Sequence, residues 1–291
     1  MTTLIILYLL VLAGGIVRST GSGMGCPDWP TCFGRIIPPT NESQLPLNYQ
    51  EIYQEKLHGE IIFNPVKTWI EYLNRLLGAL TGIAMLLTTF FAFKKDKKTG
   101  IFALGALLFV LANAILGKYV VDSFLLPGVV TAHMVLTIAV LFFLLLAIYH
   151  DSSKISLGTH GYWIIILNII LVTSQIITGT QVRENMDQVI LELGESQKHL
   201  WIDHLDFIYI IHRSATWFLI IANIFLYRKF KKNTIIMNYL NGVFFLLGIS
   251  ILTGILMAYF ALPFGTQPLH LTLSLLALGL HLKMLITTKY E

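Results

Sequence analysis

The chain has 291 residues, 55% of them hydrophobic and only 12% charged, with a mean hydropathy of +0.72. A water-soluble domain carries roughly 25% charged residues, so a soluble globular protein is excluded and the bilayer is the solvent for most of this chain. The formal net charge of +4 sits in clusters of Lys and Arg between apolar segments and requires no nucleic-acid partner.

Apolar runs long enough to cross roughly 30 Å of hydrocarbon at about 1.5 Å per residue recur eight times, over 2–18, 69–93, 100–121, 128–149, 160–181, 206–227, 236–259 and 267–287. The first resembles a secretory signal, but no basic stretch precedes Leu4, so it reads as a true span. Gly14 and Gly15 near its end suit either a close helix contact or a bend. Lys94, Lys95, Lys97 and Lys98 follow the second span and Arg228, Lys229, Lys231 and Lys232 the sixth, with Lys154 and Lys289 on the same side. The turns at Asp122–Pro127 and Phe260–Gln267 carry no Lys or Arg. Both termini are therefore expected in the cytoplasm of a multi-pass cell-membrane protein, and the long loop 19–68 outside.

That loop holds the two cysteines of the chain, Cys26 and Cys32. An outward loop lies where disulfides persist, and the short separation through Pro27 and Pro30 suits one. Two alternatives remain open: a zinc site, which needs two further ligands and has only His58 as an obvious donor nearby, and a redox-active pair.

The second, fourth, sixth and eighth spans each carry a polar residue about a turn inside their outer ends: Asn74, His133, His212 and His270. Imidazole is costly in hydrocarbon without a partner, and paired histidines there suggest axial ligation of haem iron. The spacing repeats: Gly117 and His133 recur as Gly254 and His270, Asn74-Arg75 as His212-Arg213, and Val17-Arg18 as Val182-Arg183. The chain therefore reads as all-α and integral to the membrane, eight helices in two pseudo-symmetric four-helix bundles, 1–150 and 151–291, related as parallel repeats.

In the C-terminal half, His212 and His270 are placed to hold a haem between them, against the plainer reading of two separate polar side chains bonded across helices. In the N-terminal half His133 faces Asn74, and an amide is a poor iron ligand, so a haem there would have one strong axial bond and an open face. Glu71 lies three residues before Asn74, either as a solvated residue near a helix start or as a reacting group on the same face. Arg75 and Arg213 suit a haem propionate, a neighbouring carboxylate or helix-end carbonyls. His58, His150, His160, His199, His204 and His281 fall in loops or near span ends, where solvated roles are expected.

The run Thr20-Gly21-Ser22-Gly23-Met24-Gly25-Cys26-Pro27-Asp28-Trp29-Pro30, with Glu71-Tyr72-Leu73-Asn74-Arg75, Thr131-Ala132-His133, Ile211-His212-Arg213 and Gln267-Pro268-Leu269-His270-Leu271, closely resembles the heme A synthase family. The resemblance implies a resident haem b on the residues matching His212 and His270. It further implies that the N-terminal half binds heme O and oxidises its C8 methyl to a formyl group, by successive hydroxylations and loss of water, to give heme A for terminal oxidases. Glu71 matches the family's acidic catalytic position, and Cys26 and Cys32 resemble its outer-loop cysteine pair. The sequence departs from many members at Asn74, where they carry His, and lacks the second cysteine pair that some have in the stretch between Arg183 and His204.

Two other classes compete: a di-haem cytochrome passing electrons from quinol without altering its haems, and a transporter, which the absence of a broken helix disfavours. Beyond the lipid bilayer and heme O, a heme O synthase is a candidate neighbour by pathway logic. The electron partner, the oxygen source and the choice between monomer and homo-oligomer are not written in the residues.

Overall fold

The computed structural model describes residues 1–53, 63–123, 126, 128–260 and 262–289, without the side chains of Thr159 and Glu195. His58, Leu125 and Pro127 lie outside the described residues. The helices are α1 (Thr2–Ser19), α2 (Tyr49–Tyr53), α3 (Pro65–Lys95), α4 (Lys97–Asp122), α5 (Val129–Tyr149), α6 (Gly158–Leu193), α7 (Phe207–Phe230), α8 (Thr234–Tyr259) and α9 (Thr266–Ile286). All but the short α2 are long and apolar enough to cross a membrane, so the expected eight spans are present.

Local chemistry sets their ends. Asn64 accepts from the Lys67 N–H ahead of Pro65, Asp96 from Thr99, Asp206 from Ile208 and Asn233 from Ile236, each satisfying an orphan amide of the first turn. Asp96 alone separates α3 from α4, which forces a tight hairpin. Helices α5 and α9 start instead after Gly128 and Gly265, both left-handed with φ of 86° and 80°, a conformation glycine adopts without a Cβ penalty.

Helix α1 packs on α3 and α9, α4 on α3 and α5, α6 on α7 and α9, α8 on α9, and α5 on α6 and α9. Exchanging the halves maps α1 onto α6 and α5 onto α9, and the α1–α9 contact then falls on the α5–α6 contact. The first and last helices of each half thus form the middle of the molecule, with α3 and α4 on one side and α7 and α8 on the other. One apolar core runs through both halves, from Leu7 and Val11 through Met85, Leu141 and Leu144 to Val172, Leu275 and Leu278. On the face opposite the loop, a two-residue parallel pairing of β1 (Ile155–Ser156) with β2 (Thr288–Lys289) ties the segment between the halves to the end of the chain.

Gly15 resolves in favour of close contact: a Cβ there would stand 2.8 Å from Pro268 Cβ and 2.9 Å from its Cα. Gly15→Ala should therefore push α1 off α9 and cost about 1–3 kcal/mol, the usual penalty of overpacking, read as a lowered thermal midpoint in detergent.

Two expectations need correction. The fifth span does not end near 181 but continues to Leu193, because the charged residues that lower its hydropathy have partners. The Glu184 carboxylate accepts from Gly128 N–H at 3.1 Å, Thr131 N–H at 3.2 Å and Thr131 Oγ1 at 3.0 Å, supplying the N-terminal cap that α5 lacks from its own residues. Asp187 pairs with Arg18 and Arg183. His281, expected near solvent, is fully buried and bonded to the Ala277 carbonyl and Asn223 Oδ1, because α9 runs through the middle of the molecule and keeps its last turns inside the core.

Candidate functional site

The loop between α1 and α3 folds onto the start of α3. Cys26 and Cys32 are joined in a disulfide and pack with Phe33, Leu45, Tyr49 and Tyr53 in a small core of their own. The Asp28 carboxylate fixes the turn, accepting from Thr31 Oγ1 and from the amides of Phe33 and Gly34. Thr68 Oγ1 donates to the Gly25 carbonyl at 2.9 Å. Gly25 leaves no room for a Cβ, which would sit 2.5 Å from the Lys67 carbonyl oxygen. The two sulfurs are bonded to each other, which leaves no thiolate for a zinc ion, and no group of three or more metal-ligating side chains occurs among the described residues.

Glu71 is not a solvated helix-start residue. It is 3% exposed, with Oε2 accepting from Cys26 N–H at 2.8 Å and Oε1 paired with Arg75. Arg75 also donates to the carbonyls of Cys26, Asp28 and Thr31. Of the acceptors open to Arg75 on sequence, the structure shows a neighbouring carboxylate and backbone carbonyls. The disulfide loop, Arg75 and Glu71 form one hydrogen-bonded unit. Arg213, its counterpart in the second half, is exposed on α7 with no ion pair among the described residues.

In the C-terminal half the rings of His212 and His270 lie 6.2 Å apart, centre to centre, with an interplanar angle of 65°. His270 Nδ1 donates to the Ser250 carbonyl at 2.7 Å. Thr178 Oγ1 donates its own hydrogen to the Ser174 carbonyl at 2.9 Å and so accepts from His212 Nδ1 at 3.0 Å. Both Nδ1 atoms thus carry the proton, and both Nε2 atoms keep a bare lone pair, the state a metal-ligating imidazole needs.

The N-terminal half repeats this frame with different contents. Asn113 and Thr137 bond at 2.9 Å where Ser250 and Ser274 bond at 3.1 Å in the other half, but Leu116 stands where Thr253 approaches His270 Nδ1. As a result His133 Nδ1 is buried without a partner among the described residues, and so are Asn74 Oδ1 and Asn113 Oδ1. A buried unpaired polar group costs about 1–3 kcal/mol, and His133, Asn74 and Asn113, on three helices of this half, each carry one among the described residues. Asn113 was not singled out from sequence; its signal was the repeat offset that places it on Ser250.

A further regularity joins the four positions. A Cβ on Gly117, Gly179 or Gly254 would come within 3.4, 3.1 or 3.4 Å of Cε1 of His133, His212 or His270, and one on Gly14 within 3.9 Å of Asn74 Oδ1. Each ligand-position side chain is seated against a glycine of the preceding long helix. Two of these pairs were visible as the Gly117–His133 and Gly254–His270 spacing; the others were hidden by unequal connecting segments.

The residues in the C-terminal half fit an iron held by two imidazoles. Metal–imidazole bonds of about 2.0–2.1 Å on both sides of one metal put the ring centres about 6 Å apart, close to the 6.2 Å between these rings.

Fold and site together define a polytopic membrane protein whose two halves carry related imidazole sites of unlike composition. The chain belongs to the COX15-CtaA family of cytochrome oxidase assembly proteins, whose model matches residues 1–282. It is 30% identical over 132 residues to a heme A synthase of Shewanella oneidensis, covering 45% of this chain and 38% of that protein. It is 35% identical over 115 residues to a heme A synthase of Exiguobacterium sp. (38% and 31%), and 32% identical over 145 residues to one of Nitrosomonas eutropha (45% and 39%). The chain thus matches between about a third and two fifths of the length of these relatives.

Proposed function

We propose that the protein is a heme A synthase, oxidising the C8 methyl of heme O to the formyl group of heme A. The observation that carries this reading is the inequality of the two sites. One has two imidazoles locked through Nδ1, suited to a permanently held haem b. The other has one imidazole whose Nδ1 has no partner among the described residues, an amide at the second ligand position and a buried carboxylate, suited to an exchangeable substrate. On this reading residues 1–150 form the substrate half and residues 151–291 the resident-haem half, with the disulfide loop on the outer side of the cell membrane and the termini in the cytoplasm.

His133 ligates the substrate iron from one side. Asn74 leaves the other side without a strong ligand and offers an amide to a water or an oxygenated group there. Glu71, held by Cys26 N–H and Arg75, takes or relays the protons released as the methyl is oxidised, or stabilises charge that develops on it. His212 and His270 would hold a haem b, which when bound would supply one-electron transfer with an external redox partner. Arg213 is assigned to a propionate of that haem. A heme O synthase is the proposed source of substrate.

Thr178 fixes the tautomer and orientation of His212, and outer partners of ligating histidines are worth about 10–100-fold in affinity. Thr178→Val should weaken binding of the resident haem within that range, measured by haem transfer to an apo-acceptor protein.

The test of the function is to express the chain with a verified supply of heme O, extract the haems from the purified protein, and identify them by chromatography and mass. Heme A or its alcohol intermediate beside haem b supports the synthase. Haem b alone would instead make the protein an electron-transfer cytochrome.

A further inference from the structure

Past its glycine seat, the first helix of each half carries an arginine at the same spacing: Gly14 and Arg18 on α1, Gly179 and Arg183 on α6. Four residues along a helix is nearly the same face, about 6 Å further out. Each arginine therefore stands over the loop-side rim of the site whose ligand-position residue the glycine seats. The two converge. Arg18 Nη2 lies 2.7 Å from Asp187 Oδ2 and Arg183 Nη2 lies 2.8 Å from Asp187 Oδ1, while Arg183 Nη2 also donates to the Arg18 carbonyl at 3.3 Å.

The cluster is incomplete as it stands. One carboxylate serves two guanidinium groups whose side chains are only 16% and 15% exposed, and Arg183 Nε is buried with no hydrogen-bond partner among the described residues. A partly buried surplus of positive charge with a free donor is matched by a further carboxylate. Arg75 donates to Glu71 and the loop carbonyls, whereas Arg18 is the arginine that meets Arg183 across Asp187.

We propose that Arg18, Asp187 and Arg183 form one two-sided carboxylate-binding bridge, in which Arg183 holds a haem carboxylate of the C-terminal site and Arg18 one of the N-terminal site. This rests on the haem reading given above. The bridge fixes the outer edges of the two groups relative to each other across the junction of the halves, and it places a shared charge beside both. A positive charge near a haem favours its reduced form, and a negative charge disfavours it.

The full chain, purified from membranes with the haem it retains, is compared with Arg183→Gln, Arg183→Lys, Asp187→Asn and Arg18→Gln by redox titration of that haem and by titration with added heme O. Arg183→Gln should lower the midpoint potential of the retained haem, Asp187→Asn should raise it, and Arg183→Lys should stay near the parent. A purely structural role would not reverse the sign between the first two. Arg18→Gln should weaken heme O binding by about tenfold or more, as expected for a lost hydrogen bond to a charged group, with a smaller effect on the retained haem. If Arg183→Gln fails to accumulate, the rise in Asp187→Asn and the parent-like Arg183→Lys carry the test. Equal or same-sign potentials in the Arg183 and Asp187 variants, or unchanged heme O binding in Arg18→Gln, overturn the bridge while leaving the synthase reading in place. A parent protein that purifies without haem from haem-replete cells overturns both.

Discussion

Replacing either His212 or His270 with alanine should empty the resident site, reducing the haem carried by the purified protein by about tenfold or more. Outer partners of ligating histidines alone are worth about 10–100-fold, and here an axial ligand itself is removed. The two variants should behave alike, since the two ring centres stand 6.2 Å apart and each variant keeps only one imidazole of the pair. His281 is bonded at both nitrogens within its own helix and to Asn223 and gives no substitute. Haem content is read from the pyridine haemochrome of equal amounts of protein. A full complement in both variants would show that these histidines do not hold the haem.

Glu71→Gln should give the opposite pattern: haem content retained, and conversion of heme O reduced by about 10²–10⁴-fold, the range general acid–base groups contribute. Glutamine is the informative replacement because its amide oxygen can still accept from the Cys26 N–H, which now bonds Glu71 Oε2 at 2.8 Å. The loop keeps that anchor while the group loses its ability to take a proton. Glu71→Ala would leave both Cys26 N–H and Arg75 without their carboxylate and would mix loss of chemistry with loss of loop structure. Product yield from Glu71→Gln close to the parent would remove Glu71 from proton handling and leave it an anchor for the disulfide loop.

The spans and the ligand positions were legible because each rests on a local signal: unbroken apolar length for the helices, and a polar residue at a repeated depth for Asn74, His133, His212 and His270. The disulfide was also within reach, from two cysteines in one loop. What escaped depends on contacts between distant segments. The last turns of α6 look like a polar connection, and their helical state follows from Glu184 capping a helix 53 residues earlier at Thr131 and from Asp187 reaching α1. The burial of Glu71 comes from a loop 45 residues away in sequence, and no local pattern distinguishes it from a solvated carboxylate at a helix start. His281 was misjudged because its distance from the helix end says nothing about whether that helix lies at the rim or in the middle. The bonds of Arg75 to the loop carbonyls were likewise hidden, since the residues that supply them lie 44 to 49 positions earlier.

The position of α9 bears on how the protein is made. Helices enter the membrane in chain order, yet α1 takes α9, seven spans further along the chain, as one of its two main neighbours, with Gly15 pressed against Pro268. Until α9 is made, α1 presents to lipid or to an insertion chaperone the surface that α9 will cover, and the two halves lack the helix that joins α1 to α6 and α8. A ribosome that stalls before α9 leaves a chain with an open flank along α1, α5, α6 and α8 together. Such a chain is a natural substrate for membrane quality control, so the arrival of α9 acts as the checkpoint for assembly.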